Sequence, residues 1–283
     1  MKKTILAVLA LLSGAAQAAF VWIGGEITSS AWNNQFSWSI TGNTSFGGNN
    51  GHWGDYGPGI PDSGKWDQIT LNHASGSIDT LEGWSLKLKL ISSNLTVAKI
   101  KKFQGGGQLD IDADSILTFN SYTTDGNDGG QVIINCEGVF NLAYTKNQGG
   151  DGFFCNLGKT GVMNLTSSTG DAYTVKIASL EARLETEAVS GSRRLLTLGT
   201  NMNFDSTETA ITINAAEGWQ KVNNQQEAQQ AAEAGNDSYW VTKDGTGILL
   251  SWVKGKTQSV PEPTSATLSL LALTAFVRRR RRN

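Results

Sequence analysis

The feature that most constrains this chain is a series of short apolar–polar alternations between Leu86 and Ile213, broken by clusters of Gly, Asn, Asp, Ser and Thr. Alternation with a period of two predicts half-buried strands, and helical periodicity is nearly absent. The clearest run is Leu109 to Phe119, with apolar side chains at 109, 111, 113, 117 and 119. Similar runs follow at Gln131 to Leu142, at Gly152 to Leu157 with Val162 to Leu165, and at Tyr173 to Leu184. The glycines at 105, 129, 149 and 170 step by 24, 20 and 21 residues. A loose period in the low twenties predicts stacked coils, each burying its apolar side against its neighbours. The expected fold is therefore all-β, a right-handed parallel β-solenoid over residues 86–216. An antiparallel β-sandwich or jelly roll is the alternative, because turn residues and outward polar rows suit both.

A solenoid has to close its ends against edge-to-edge pairing. Residues 19–85 carry six of the nine tryptophans, Trp22, Trp32, Trp38, Trp53, Trp66 and Trp84, and are read as an N-terminal cap. The stretch Trp22, Trp32, Phe36-Ser37-Trp38, Gly59-Ile60-Pro61-Asp62 and Asp67-Gln68-Ile69-Thr70-Leu71 is similar to the entry segment of bacterial surface β-helix proteins of the autotransporter-associated β-strand repeat kind. At the other end, Glu217 to Ala234 is rich in Gln, Ala and Glu and stops at Gly235, which predicts a helix. Asp244-Gly245-Thr246-Gly247 between two apolar runs predicts a β-hairpin. Helix and hairpin, residues 217–253, are expected to form a C-terminal cap, followed by a linker at 254–259.

Charge is distributed by segment. Lys2, Lys3 and Arg278 to Arg282 supply seven of 23 cations, and no Asp or Glu lies before Ala19 or after Pro263. Without those ends the count is 16 cations against 25 anions, a net charge of −9, so a nucleic-acid partner is not expected. Lys2 and Lys3, the apolar run Ile5 to Leu12 and Ala16-x-Ala18 predict a secretory signal peptide over 1–18, cut before Ala19. An amphipathic first helix is disfavoured, as the run has no polar face.

The C-terminus reads Val260-Pro261-Glu262-Pro263, then Ser265 to Val277, then Arg278, Arg279, Arg280, Arg281 and Arg282. Thirteen helical residues rise roughly 20 Å, short of a hydrocarbon core of about 30 Å. The arginines would snorkel and hold the tail end in the cytoplasm, leaving the large domain outside. These three parts, over residues 260–283, resemble the PEP-CTERM sorting signal of exported bacterial proteins. The resemblance implies a membrane-tethered precursor whose Pro-Glu-Pro motif is recognised by an exosortase, a membrane enzyme that removes the tail at the cell surface. The signal peptidase and the exosortase are then the processing partners.

Candidate chemistry is sparse. His52 and His73 are the only histidines, and no His-x-x-x-His, Cys-x-x-Cys or phosphate loop occurs, so no cofactor is expected. Cys136 and Cys155 both have inward parity and lie 19 residues apart, about one coil, so they are expected to form either a disulfide between neighbouring strands or a pair of buried thiols. Asp110, Asp112 and Asp114 would project from one strand face about 7 Å apart and either gather a cation or simply face solvent. Asp125-Gly126-Asn127-Asp128-Gly129 has the composition of a calcium loop but lacks its distal Glu, and reads as a turn. Trp53 and Tyr56 are the aromatic pair for a sugar contact, against the alternative that the tryptophans fill the cap. The functional expectation is a non-enzymatic surface or matrix scaffold that meets extracellular polysaccharide. Its rival is a carbohydrate-active lyase or hydrolase on the same fold.

Overall fold

The alternation is realised as two stacked parallel sheets, with each circuit of the chain adding one strand to each. The computed structural model describes residues 19–23, 25–32, 38–41, 68–84, 86–104, 107–123, 132–145, 152–187, 189–204 and 210–256. An entry segment comprises β1 (Ala19–Trp22), the single-turn helix α1 (Ser29–Trp32) and β2 (Trp38–Thr41). Successive coils then follow as β3 (Gln68–Asn72) with β4 (Ser75–Trp84), β5 (Lys87–Ile91) with β6 (Asn94–Gln104), and β7 (Gln108–Ile111) with β8 (Ile116–Thr123). Next come β9 (Val132–Cys136) with β10 (Val139–Tyr144) and β11 (Phe153–Leu157) with β12 (Val162–Ser167). The last full coil pairs β14 (Ile177–Leu184) with β15 (Gly191–Leu198), flanked by the side strands β13 (Tyr173–Val175) and β16 (Met202–Phe204). The chain ends in β17 (Ala210–Ala215), β18 (Gln220–Lys221), α2 (Gln225–Glu233), β19 (Ser238–Asp244) and β20 (Gly247–Val253).

The first sheet runs β17-β14-β11-β9-β7-β5-β3-β1-β2 and the second β18-β19-β20-β15-β12-β10-β8-β6-β4. Every coil-to-coil pairing in both is parallel. The protein is a parallel β-solenoid. Among the described residues, antiparallel pairing is confined to the ends, between β1 and β2 and among β15, β20 and β19.

Between the sheets, inward residues stack in columns. Ile69, Leu88, Leu109, Ile134, Cys155 and Leu180 form one in the first sheet, and Leu95, Leu117, Phe140, Met163 and Leu196 form one in the second; all are buried. Phe119 and Phe140 meet edge to face at 5.6 Å, and Tyr122 and Tyr144 at 5.4 Å, the geometry favoured by the ring quadrupole.

The corner between the sheets has its own column: Ala74, Ser93, Ser115, Gly138 and Gly161. Each precedes a strand of the second sheet, and main-chain bonds from Asn94, Ile116, Val139 and Val162 to Ala74, Ser93, Ser115 and Gly138 stitch it together. Ser115 Oγ accepts from Ser93 N at 2.9 Å and Ser93 Oγ from Ala74 N at 3.0 Å. A Cβ built on Gly138 would lie 2.2 Å from Ser115 O and 2.3 Å from Asp112 O, and one on Gly161 only 1.9 Å from Cys136 O. Small residues therefore let the coils close to strand spacing at this edge.

Several sequence expectations are corrected. Leu109 to Phe119 is two strands rather than one: Asp112 accepts from Ser92 N, Asp114 N and Ser115 Oγ, and the resulting turn at 112–115 exposes Ala113. Stacking begins before residue 86, since β3 and β4 pair in register with β5 and β6 and belong to the solenoid rather than to the cap. The C-terminal helix is Gln225–Glu233, not 217–234. Gly218 has φ 92°, and Asn224 caps the helix by accepting from Glu227 N at 3.0 Å while Glu227 bonds back to Asn223 N. The hairpin forms as expected. It lies along β15, with Arg194 reaching Thr246 at 3.0 Å and Asp244 at 3.7 Å, while Lys254 pairs with Asp237.

The disulfide is not formed; both cysteines are free and buried. The local coil step is 21 residues, not 19, so Cys155 faces Ile134 and Cys136 faces Leu157. One strand spacing plus two residues along the strand separates their Cα atoms by about 8 Å, past the reach of a disulfide. Burial pushes the Cys136 thiol up to about 11, outweighing the lowering effect of the main chain at Val162 and Gly138, and pushes that of Cys155 further still. Thiolate is the reactive form. The folded protein is thus expected to take up no maleimide at mildly alkaline pH and two equivalents after denaturation, with a mass unaltered by reductant. Rapid labelling of either cysteine in the native state would contradict this burial.

Candidate functional site

The outer face of the first sheet carries what the inner columns exclude. Lys89, Asp110, Asn135, Asn156 and Glu181 occupy one outward column on β5, β7, β9, β11 and β14. Their side chains are linked across coils. Asn135 Nδ2 donates to Asp110 Oδ1 at 2.7 Å, Asn156 Nδ2 donates to Asn135 Oδ1 at 2.8 Å, and Gln108 Nε2 donates to both oxygens of Asp110 at 3.0 Å. Asn214 Nδ2 reaches Glu181 Oε2 at 3.3 Å from β17. Amide dipoles aligned along the solenoid axis polarise one another.

Beside this ladder runs a groove of about 660 Å³. Its charged lining is Lys89, Asp110, Asp112, Glu137, Glu181 and Arg183. Smaller hollows extend it toward Gln68 and Lys87 at one end and toward Ala216 at the other. Two residues back along the strands, Ile133 and Phe154 stand in register and interrupt the polar face with an apolar shelf, Ile133 being 39% exposed.

The second sheet has a matching ladder. Asn164 Nδ2 donates to Asn141 Oδ1 at 2.9 Å, and Asn141 Nδ2 to Thr118 Oγ1 at 3.0 Å. In the last coil Arg193, half-buried, donates to Gly158 O at 2.6 Å and Arg183 O at 3.0 Å; burial lowers its pKa from the ordinary value, opposed by Glu187.

No protein-family model, curated protein or solved structure matches this chain. The functional reading therefore rests on its own residues.

The structure separates the aspartates expected to share a strand face. Asp110 belongs to the ladder, Asp112 closes the corner turn, and Asp114 lies exposed in that turn. Among the described residues no group of His, Cys, Asp and Glu is arranged to hold a metal ion. His73 lies in the turn after β3 with φ 53°, its Nδ1 2.8 Å from Asn72 Oδ1. His52, Trp53, Tyr56 and the 125–129 loop fall outside the described residues, as do Ala16, Ala18, Val260 to Pro263 and Arg278 to Arg282. Ala19 begins β1. Among the described residues no helix is long and apolar enough to cross a membrane.

Of the groove residues, Asp110 and Asp112 are the ones that the sequence pattern picks out. Arg183 lines the same groove, although the Asp110 and Glu181 strands stand three coil steps apart, about 14 Å. The missed residues, Asn135, Asn156, Glu181 and Asn214, all have outward parity. The 21-residue step from Asn135 to Asn156 was the signal that could have found them.

Proposed function

We propose that this chain is an exported, non-enzymatic surface or matrix protein. A signal peptide over 1–18 delivers it, an exosortase sorts it through Pro261-Glu262-Pro263, and the solenoid offers its polar face to extracellular polysaccharide. The observation that carries the role is the axial ladder of Asp110, Asn135 and Asn156 beside the long groove. A row of hydrogen-bonding groups repeating at strand spacing suits an extended polymer better than a compact substrate. Asp110 and Asp112 each accept from several fixed donors, which suits a structural role. The destination rests on the N-terminal and C-terminal segments.

Mass spectrometry of the surface-localised protein is expected to find an N-terminus at Ala19 and a C-terminus between Pro261 and Thr264. Recovery of intact Arg278 to Asn283 in that form would replace sorting by a retained anchor. Incubation with a polysaccharide panel, with and without Ca²⁺, is expected to give retention without soluble products. Oligosaccharide release abolished by Asp110→Asn would instead establish the carbohydrate-active enzyme.

A further inference from the structure

The ladder on the first sheet has a fixed direction. An ionised Asp110 only accepts, so Asn135 must turn its Nδ2 to it and its Oδ1 to the next coil; Asn156 repeats the arrangement. Asn156 Oδ1 is thereby left on the side of Glu181, its register partner, which as a carboxylate also only accepts. Among the described residues no side chain donates to Asn156 Oδ1. In the second sheet Asn164 is followed in register by Thr197, a hydroxyl rather than a carboxylate.

We infer that this break between Asn156 and Glu181 is a recognition point for the ammonium group of an amino-sugar polymer lying along the groove. Two facing acceptors call for a donor, and an ammonium brings three donors and no acceptor. Four acids against two bases line the groove, which favours a cation over a neutral hydroxyl and opposes uronic acids. Phe154, two residues before Asn156 on the same outward face, offers an apolar surface to the C–H face of the sugar ring. Successive sugars would then follow the coil stack. This inference rests on the reading of the groove as facing polymer, and names the sugar class that it takes.

Calorimetric titration of the full chain in mild detergent with glucosamine, N-acetylglucosamine and galacturonate oligomers tests it. The glucosamine oligomers are expected to bind about tenfold tighter than the N-acetylated ones, the magnitude of one charge-assisted hydrogen bond. Glu181→Gln, whose amide is able to donate to Asn156 and complete the ladder, is expected to abolish that preference without lowering the melting temperature. Glu217→Gln removes the same charge from an exposed turn outside the groove and is expected to leave the preference intact. Equal losses in the two variants would reduce the effect to general attraction between an acidic protein and a polycation, and overturn the site. N-acetylated or galacturonate oligomers that bind as tightly as the glucosamine oligomers, or a glucosamine preference that Glu181→Gln leaves unchanged, would overturn it too, while the polymer-facing reading stands. Failure of the parent protein to bind any of the three would remove both.

Discussion

Phe140→Ala is expected to cost about 3–5 kcal/mol, the range for emptying an aromatic site in a rigid core. Phe140 is fully buried, stands between Leu117 and Met163 in its column, and meets the edge of Phe119. In a stack of coils each unit touches only its neighbours, so a cavity at β10 weakens the interfaces with both β8 and β12. Urea unfolding of the variant should therefore show a lower midpoint and a broadened or divided transition, as coils on either side lose their coupling. Phe119→Leu combined with Phe140→Leu would isolate the ring pair, with a coupling of about 0.5–1.5 kcal/mol. A stability loss below about 1 kcal/mol for Phe140→Ala would mean that the second-sheet column repacks far more readily than its burial implies.

Gly138→Ala acts by the opposite means, adding an atom where there is no room. Its Cβ would press on two main-chain oxygens of the preceding corner, Ser115 O and Asp112 O, and neither can swing aside as a side chain would. Relief requires spreading the coils at an edge held by the Val139 N to Ser115 O bond of 3.0 Å and by Glu137 N to Ile111 O at 2.7 Å. The expected cost is about 3 kcal/mol, the upper end of ordinary overpacking. For a chain of this size that corresponds to a fall in melting temperature of roughly 6–12 °C. Gly245→Ala in the hairpin tip, where a Cβ meets nothing within 4 Å, is the control and should change stability by less than about 0.5 kcal/mol. If the two variants melt together, the corner column is not what sets coil spacing.

Much of this architecture could be read before any coordinates, because a period of two and a period near twenty are both written in residue type. Runs such as Val132 to Leu142 show which side chains go inside, and both cysteines were placed there correctly. What could not be read is whatever depends on register. The break at Asp112 is decided by Ser92, 20 residues earlier on the neighbouring coil, while the apolar alternation continues across it undisturbed. The missing disulfide turns on a difference of two residues between the cysteine spacing and the local coil step. The helix start was misplaced because Gln, Ala and Glu fill the segment uniformly, whereas the Asn223-Asn224 cap is a local contest among hydrogen bonds. The ladder was equally hidden: asparagine in a strand reads as turn-forming until its neighbour one coil away is known to be another amide.

The corner column also divides the molecule into a tight and a permissive edge. From β3 to β12, the step from first to second sheet spans two to four residues, from the 73–74 link to the 158–161 link. The return path lengthens from the 85–86 link to residues 124–131 and 145–152. Loop extension is cheap where it need not pass the glycine and serine stack. Peptides grafted into 124–131 or 146–151 should thus leave the coil pitch unaltered, whereas a single added residue beside Gly138 or Gly161 should unseat it. The gauge of the stack is thus kept at the step from first to second sheet, and length is free to vary on the return.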